Sequence, residues 1–311
     1  MNRYGYCCIN LKLSEQGITT NRTMREATFR ERGLQYVSQI ALQNCTDLDK
    51  IIRWNEDNGI KVFRVSSELF SWASEYEFDD LPNIADIRKV LSDTGDYAKS
   101  VGQRLSFHPG PFNVLGSKNE KVVKKTLKEL RFHSEIMDML NQPQTAEAKI
   151  NIHIGGAYGD REAAAEAWCK NFELLPESVQ KRITVENDDK AAMFSTKMLY
   201  EWVYKRVGVP IVFDSHHFEC GPQDSSYSEA FEMAYSTWGS VRPMCHHSNS
   251  RQHEDPSATR AAHSDYYYKR FDSCGKDVDV ALECKAKELG LKKYLADFES
   301  KPLLMTRYLW R

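Results

Sequence analysis

Residues 183–189, Ile-Thr-Val-Glu-Asn-Asp-Asp, carry a short β-forming run straight into a carboxylate, Glu186, and then break into polar residues. The same construction recurs along the chain. KINIHIGG (149–156) reaches His153, VPIVFDSHH (209–217) reaches Asp214 and His217, RPMCHHS (242–248) reaches His246, and DVALECK (279–285) reaches Glu283. A helix-like stretch follows each run. A metal-ligand type at the end of successive β-runs is what a (β/α)8 barrel needs, because all its strand C-termini open on one face. Any one of these side chains alone reads best as a structural histidine or a surface acid. Six at the same structural position do not. Imidazole and carboxylate mixed, with no thiolate pattern, point to a multinuclear site for Mn²⁺, Zn²⁺ or Fe²⁺.

Working outward, eight β-like runs are expected at 3–8, 61–66, 104–107, 149–154, 182–187, 209–214, 241–246 and 278–283. Helices are expected at 26–43, 47–58, 83–101, 119–140, 160–175, 196–207, 225–237 and 284–298. The clearest is 119–140, where Val123, Leu127, Leu130, Met137 and Leu140 recur at helical spacing. Alternating strands and helices favour a parallel sheet, and eight such units favour its closure into an α/β TIM barrel. A single domain over 1–311 is therefore expected, with residues 300–311 as a short tail packed on the barrel.

Composition narrows the function without naming it. A formal net charge of −2 announces no nucleic-acid partner, so contact with a phosphate backbone would need a local basic patch. Eight cysteines without paired spacing read as reduced thiols. No signal-like or membrane-length apolar stretch is found, so a cytoplasmic monomer without membrane contact is expected. No Walker-type loop is present, and the glycines at 155, 156 and 159 are as well read as a tight strand-to-helix turn.

The chemistry follows from the ligand types. Buried carboxylates such as Glu186 and Asp214 are costly unless a cation compensates, and Glu186 is the best candidate for a bridging ligand. His108 closes the run RLSFHPG and joins the set, whereas His263 lies in no strand and would have to reach in from a loop. His216 and His247 neighbour stronger candidates and should point elsewhere; His133 and His253 read as structural or solvent-facing. Two or three clustered metals would generate hydroxide at neutral pH and stabilise both reacting oxygens of a phosphodiester. The same set could serve a sugar isomerase. Spacing does not separate the two chemistries.

These segments, taken together, resemble the ultraviolet-damage endonuclease family of DNA repair enzymes. The resemblance is carried by Gly5-Tyr6 with Cys8 and Asn10, Thr19-Thr20-Asn21-Arg22-Thr23, and Phe63-Arg64-Val65-Ser66-Ser67. It continues through Leu105-Ser106-Phe107-His108-Pro109-Gly110, His153-Ile154-Gly155-Gly156-Ala157-Tyr158-Gly159, Glu186-Asn187-Asp188-Asp189, Asp214 with His216-His217, and Glu283 with Lys285. It implies a TIM barrel related to endonuclease IV and a cluster of up to three ions, most often Mn²⁺, with Zn²⁺, Co²⁺ or Mg²⁺ as alternatives. The implied ligands are His108, His153, Glu186, Asp214, His217, His246, His263 and Glu283, with Glu186 and His246 at the catalytic centre. The implied reaction is a nick in damaged double-stranded DNA immediately 5′ to a photoproduct, with abasic sites as a second substrate, leaving a 3′-hydroxyl and a 5′-phosphate. Tyr6, Asn10, Arg22, Pro111 and Phe112 would contact the DNA or its lesion, and Arg25 and Arg64 would contact phosphates.

Three positions depart from the family's pattern. Glu75 stands where the family has a histidine ligand, and is expected to replace it. Pro111 stands where a glutamine is common, so Phe112 must fill the space beside flipped bases by stacking. Met244 stands where some relatives have a lysine. These departures leave one rival reading, a damage-binding protein with weakened catalysis; a metal-dependent sugar isomerase on the same barrel is the other.

Overall fold

Eight short strands, all paired in parallel, form the centre of the computed structural model, which describes residues 1–299. They are β1 (Arg3–Cys7), β2 (Val62–Arg64), β3 (Arg104–Ser106), β4 (Ile150–Ile152), β5 (Ile183–Glu186), β6 (Ile211–Val212), β7 (Met244–His247) and β8 (Asp279–Leu282). Hydrogen bonding orders them β3-β2-β1-β8-β7 in one sheet and β4-β5-β6 in another. Isolated parallel bridges, Phe107 with Ile150 and Asp214 with His246, join the two sheets and close the ring. The fold is the expected (β/α)8 barrel. The expected tail 300–311 lies outside the described residues.

Side chains alternate across a strand, so each run divides between two environments. Phe63, Leu105, Phe107, Ile150, Ile152, Ile183, Val185, Ile211, Phe213, Val280 and Leu282 pack into the main core beneath the helices. The opposite parity faces the barrel axis. Val62, Val212 and Met244 form a small apolar cluster there with Ala146 and Trp238. Many of the other axial positions are polar and buried: Arg104, Ser106, Lys149, Asn151, Thr184, Glu186, His246 and Asp279. Branched aliphatic layers usually fill such a barrel; here charge runs along the axis, which only paired groups permit.

The helices expected at 26–43 and 47–58 are one helix, Glu26–Asp57, whose non-helical backbone falls at Gly33 (φ 60°). The polar Asn44-Cys45-Thr46 does not interrupt it. Asn44 is buried and donates to the carbonyls of Arg22 and Leu69, while the Thr46 hydroxyl returns to the carbonyl of Leu42. Ile84–Ser100, Glu120–Met139, Arg161–Phe172 and Tyr227–Ser236 fall within the expected ranges. Among the described residues no helix is long and apolar enough to cross a membrane.

Candidate metal centre

Glu186 ends β5 inside the barrel mouth with no exposed surface, and four histidines surround it. Its Oε2 lies 3.0 Å from His108 Nε2 and 3.7 Å from His153 Nε2. Its Oε1 lies 3.4 Å from His217 Nδ1 and 3.0 Å from His246 Nδ1. His246 Nδ1 is also 3.0 Å from Glu283 Oε1. Three triads have ligand atoms close enough to hold an ion: His108-Glu186-His246, His153-Glu186-His217 and Asp214-His246-Glu283. The first two share Glu186, so its two oxygens stand where a bridging carboxylate would.

His108, His153 and His246 turn the nitrogen away from Glu186 toward an outer partner, whereas His217 shares Nδ1 between Glu186 and a backbone carbonyl; such partners fix ring orientation and tautomer. His153 Nδ1 faces Asp188 Oδ1 at 3.1 Å, and Asp188 is held in turn by the Phe194 amide. His108 Nδ1 faces the Pro109 carbonyl at 3.3 Å, and His217 Nδ1 faces the Asn187 carbonyl at 2.9 Å. His246 Nε2 meets Lys149 Nζ at 3.0 Å. His263 comes from the loop after β7; its Nδ1 donates to the Glu283 carbonyl (2.8 Å), leaving Nε2 for ligation, and its ring lies 6.4 Å from that of His217.

Local folding sets these positions. Asp214 caps the short helix Ser215–Cys220, its Oδ1 accepting from the amides of His216 (2.7 Å) and His217 (2.8 Å). The cap turns His217 back toward Glu186. The Asn187 side chain exchanges two hydrogen bonds with the Asp214 backbone, both 2.9 Å, and so fastens β5 to β6 at the level of the site. Asn151 donates to Glu186 Oε2 and accepts from Thr184.

The residues fit a divalent cation cluster. Among the described residues Asp214 Oδ2 is buried without any hydrogen-bond partner, a costly state for a carboxylate oxygen unless a cation meets it. Around it the fixed charges are partly balanced: Arg64 Nη1 donates to Glu283, and Lys149 stands beneath His246. Burial opposes ionisation of Glu186 and Glu283, but the histidines hold Glu186, and Arg64 and His246 hold Glu283, well below the usual carboxylate range. Burial likewise opposes charging of His217, yet Asp214, Glu186 and Glu283 raise it to about 10. Burial wins at His108, lowered to about 4, and at Lys149, lowered to about 7.

Several expected site residues are placed elsewhere. Glu75 is exposed at the end of the turn Ala73–Glu75, where its carboxylate meets only the Ser74 hydroxyl at 3.4 Å. The reason is Trp72, in left-handed backbone (φ 59°), whose indole donates to the Met24 carbonyl and whose ring stacks on Phe29. That anchor buries Tyr76 and turns Glu75 outward. Alanine at 75 should therefore leave the metal retained after incubation with Mn²⁺, measured by plasma mass spectrometry after gel filtration, the same as in wild type, as a neutral surface substitution would; loss of one ion would restore it as a ligand.

Tyr6 and Asn10 are also not available to DNA. Both are fully buried. Tyr6 shares the parity of Tyr4 and faces the helices, its hydroxyl donating to Asn55 (2.8 Å) and accepting from Asn10 (2.9 Å), which in turn caps Leu11–Ser14. Arg22 is occupied by Asp47 at 2.7 Å and by the carbonyls of Thr19 and Gly17. Arg64 lies inside the site rather than at its rim, and Arg25 is exposed. Pro111 and Phe112 do project from the loop after β3. They occupy the middle of a turn closed by the Asn113 amide on the Gly110 carbonyl, and Phe112 is 89% exposed. Met244 sits in the axial apolar cluster, and the ammonium next to His246 comes from Lys149 instead. Lys149, Asn151, Asn187 and Asp188 carried no expectation of a site role. Polar residues at 149, 151 and 153, alternating on one strand, were the signal.

A parallel (β/α)8 barrel whose mouth gathers three carboxylates and five histidines defines a class of barrel with a candidate metal centre. Within that class the chain belongs to the UV-endonuclease UvdE family, whose model matches residues 2–303. It is 31% identical to a protein of Acanthamoeba polyphaga mimivirus provisionally named a UV-damage endonuclease, over 96% of this chain and 92% of that one. It is 31% identical to the UV-damage endonuclease of Schizosaccharomyces pombe over 92% of this chain, which spans 49% of that longer protein. The crystal structure of SacUVDE superimposes with a TM-score of 0.83 at 29% identity, covering 95% of this chain and 97% of that chain. The 3-keto-D-glucoside 4-epimerase YcjR of E. coli, at a TM-score of 0.51 and 11% identity over 95% of this chain and 98% of that one, shares the fold alone.

Proposed function

We propose that this chain, acting as one barrel domain, nicks damaged duplex DNA immediately 5′ to ultraviolet photoproducts by hydrolysing a phosphodiester, leaving a 3′-hydroxyl and a 5′-phosphate. The observation that carries the proposal is Glu186 with both oxygens bracketed by histidines at the barrel mouth of a UvdE-family chain. His108, His153, Glu186, Asp214, His217, His246, His263 and Glu283 would hold two or three ions; mixed imidazole and carboxylate donors suit Mn²⁺, Zn²⁺ or Fe²⁺, and the family resemblance favours Mn²⁺. Bound ions would supply Lewis-acid activation of water and charge neutralisation at the phosphate. The chain's own residues do the rest. Asn151 holds Glu186, Asp188 and the carbonyls of Pro109, Asn187 and Glu283 hold the rings, Arg64 provides buried positive charge at Glu283, and Lys149 holds His246. Phe112, held in solvent beside the site, would fill the gap left by unstacked bases; Pro111 has no amide with which to read them.

The test is an end-labelled duplex carrying one pyrimidine dimer, with abasic and undamaged duplexes alongside, incubated with purified protein and Mn²⁺. A single nick directly 5′ to the dimer, lost on chelation, is the expected result. Cleavage of the abasic duplex alone would mean that Pro111 narrows the lesion range. Binding without any nick would move the function to damage recognition.

A further inference from the structure

We infer that Tyr158, together with Lys118, forms a second stacking platform for an unpaired nucleobase, across a groove from Phe112. This rests on the proposed DNA substrate. Tyr158 follows His153 by five residues, in the loop after β4, and Phe112 follows His108 by four, in the loop after β3. Both rings line one groove of about 580 Å³, formed in part by the loops that follow two of the candidate metal ligands.

Three observations set Tyr158 apart from a stray surface ring. Its backbone is left-handed (φ 50°), a conformation that bulky side chains rarely adopt and that clusters at functional sites. Its ring lies over Gly156, where an added Cβ would come within 2.9–3.2 Å of the ring atoms, so the glycine clears the bed on which the ring rests. Yet 47% of the residue remains exposed, and Lys118 Nζ stands 5.7 Å from the ring centroid, at the limit of cation–π contact. The chain thus holds an aromatic face in place and leaves it uncovered.

Charge decides what would cover it. Besides Lys118 near the ring, the groove is lined by Lys125 but also by Glu68 and Glu129, so phosphate attraction there is weak. Affinity has to come from the aromatic faces, which favours a base over a backbone phosphate. A base extruded at a lesion is a suitable occupant, since bases at damaged positions leave the stack most cheaply.

The test compares equilibrium binding of wild type, Tyr158→Ala, Tyr158→Phe and Gly156→Ala to dimer-containing and undamaged duplexes, by fluorescence anisotropy with chelator present. Tyr158→Ala should weaken binding to the damaged duplex about tenfold, as the loss of one base–aromatic stack does. Tyr158→Phe should stay within about twofold of wild type, and Gly156→Ala should fall between. Undamaged duplex binding, manganese content and the nicking rate at saturating duplex should not change. Equal weakening on both duplexes, or none on either, would overturn the inference. If wild type itself showed no preference for the damaged duplex, the DNA-repair reading would fail and this platform with it.

Discussion

Glutamine at position 186 should abolish nicking, by at least about three orders of magnitude, equivalent to about 4 kcal/mol of transition-state stabilisation. The change keeps the shape of the side chain and removes what the site is built around. Both oxygens of Glu186 face imidazole nitrogens, two on each side. An amide can offer only one acceptor oxygen to the four rings, and its NH2 would be turned toward nitrogens meant for metal. Manganese content should fall together with activity, while far-ultraviolet dichroism stays that of the wild type. Asp188→Asn is the graded control. It leaves an oxygen able to accept from His153 Nδ1 but removes the charge, and changes of that kind cost 10- to 100-fold in metal affinity or activity. Full manganese occupancy with wild-type nicking in Glu186→Gln would remove Glu186 from the centre of the mechanism.

The clustering of the candidate ligands was legible because two independent constraints coincide in it. Strand alternation put Glu186, His246 and Glu283 on the axial face, and the chain direction of a parallel barrel put them all at one end. The partners of these ligands were harder to see. Lys149 meets His246 across 97 residues of sequence, and Asn187 bonds to Asp214 across 27, contacts that exist only once the strands are paired. The misplacement of Tyr6 was avoidable: its parity with Tyr4 already assigned it to the helix layer. That of Glu75 was not, since nothing in the order Ser-Trp-Ala-Ser-Glu announces that Trp72 takes positive φ and throws the next turn outward. Side chains within a strand could be read from pattern. Those carried by irregular loops depend on backbone turns that pattern does not encode.

At the opposite end of the barrel a single substitution should cost the fold several kcal/mol. Asp279, the first residue of β8, is fully buried among three guanidiniums: Arg3 at 2.6 Å, Arg104 at 3.0 Å and Arg242 at 2.8 Å. Arg104 is itself 2% exposed and also donates to the carbonyls of Glu147, Ala146 and Arg242. Alanine at 279 leaves Arg104 charged, buried and without its counter-ion. Breaking a buried pair from one side costs about 3–5 kcal/mol, a large part of the roughly 5–15 kcal/mol that holds a protein folded. The melting temperature should fall by on the order of 10 °C at neutral pH. Asn in place of Asp should lower it less, because the amide oxygen can still accept from one arginine. Burial works against the Asp279 carboxylate, but Arg3 and Arg104 more than offset it and hold its pKa below the ordinary 3.8. A depressed carboxylate stabilises the fold above its unfolded pKa and loses that contribution as pH falls through the folded one. The gap in stability between wild type and Asp279→Asn should thus be constant from neutrality down to about pH 4 and close below it. Nicking by folded Asp279→Asn at low temperature should match wild type, since the tetrad lies at the end of the barrel away from Glu186. A stability gap that closed near neutral pH, or a nicking defect in the folded variant, would show that the two ends of the axis are coupled through Lys149 and its neighbours rather than independent.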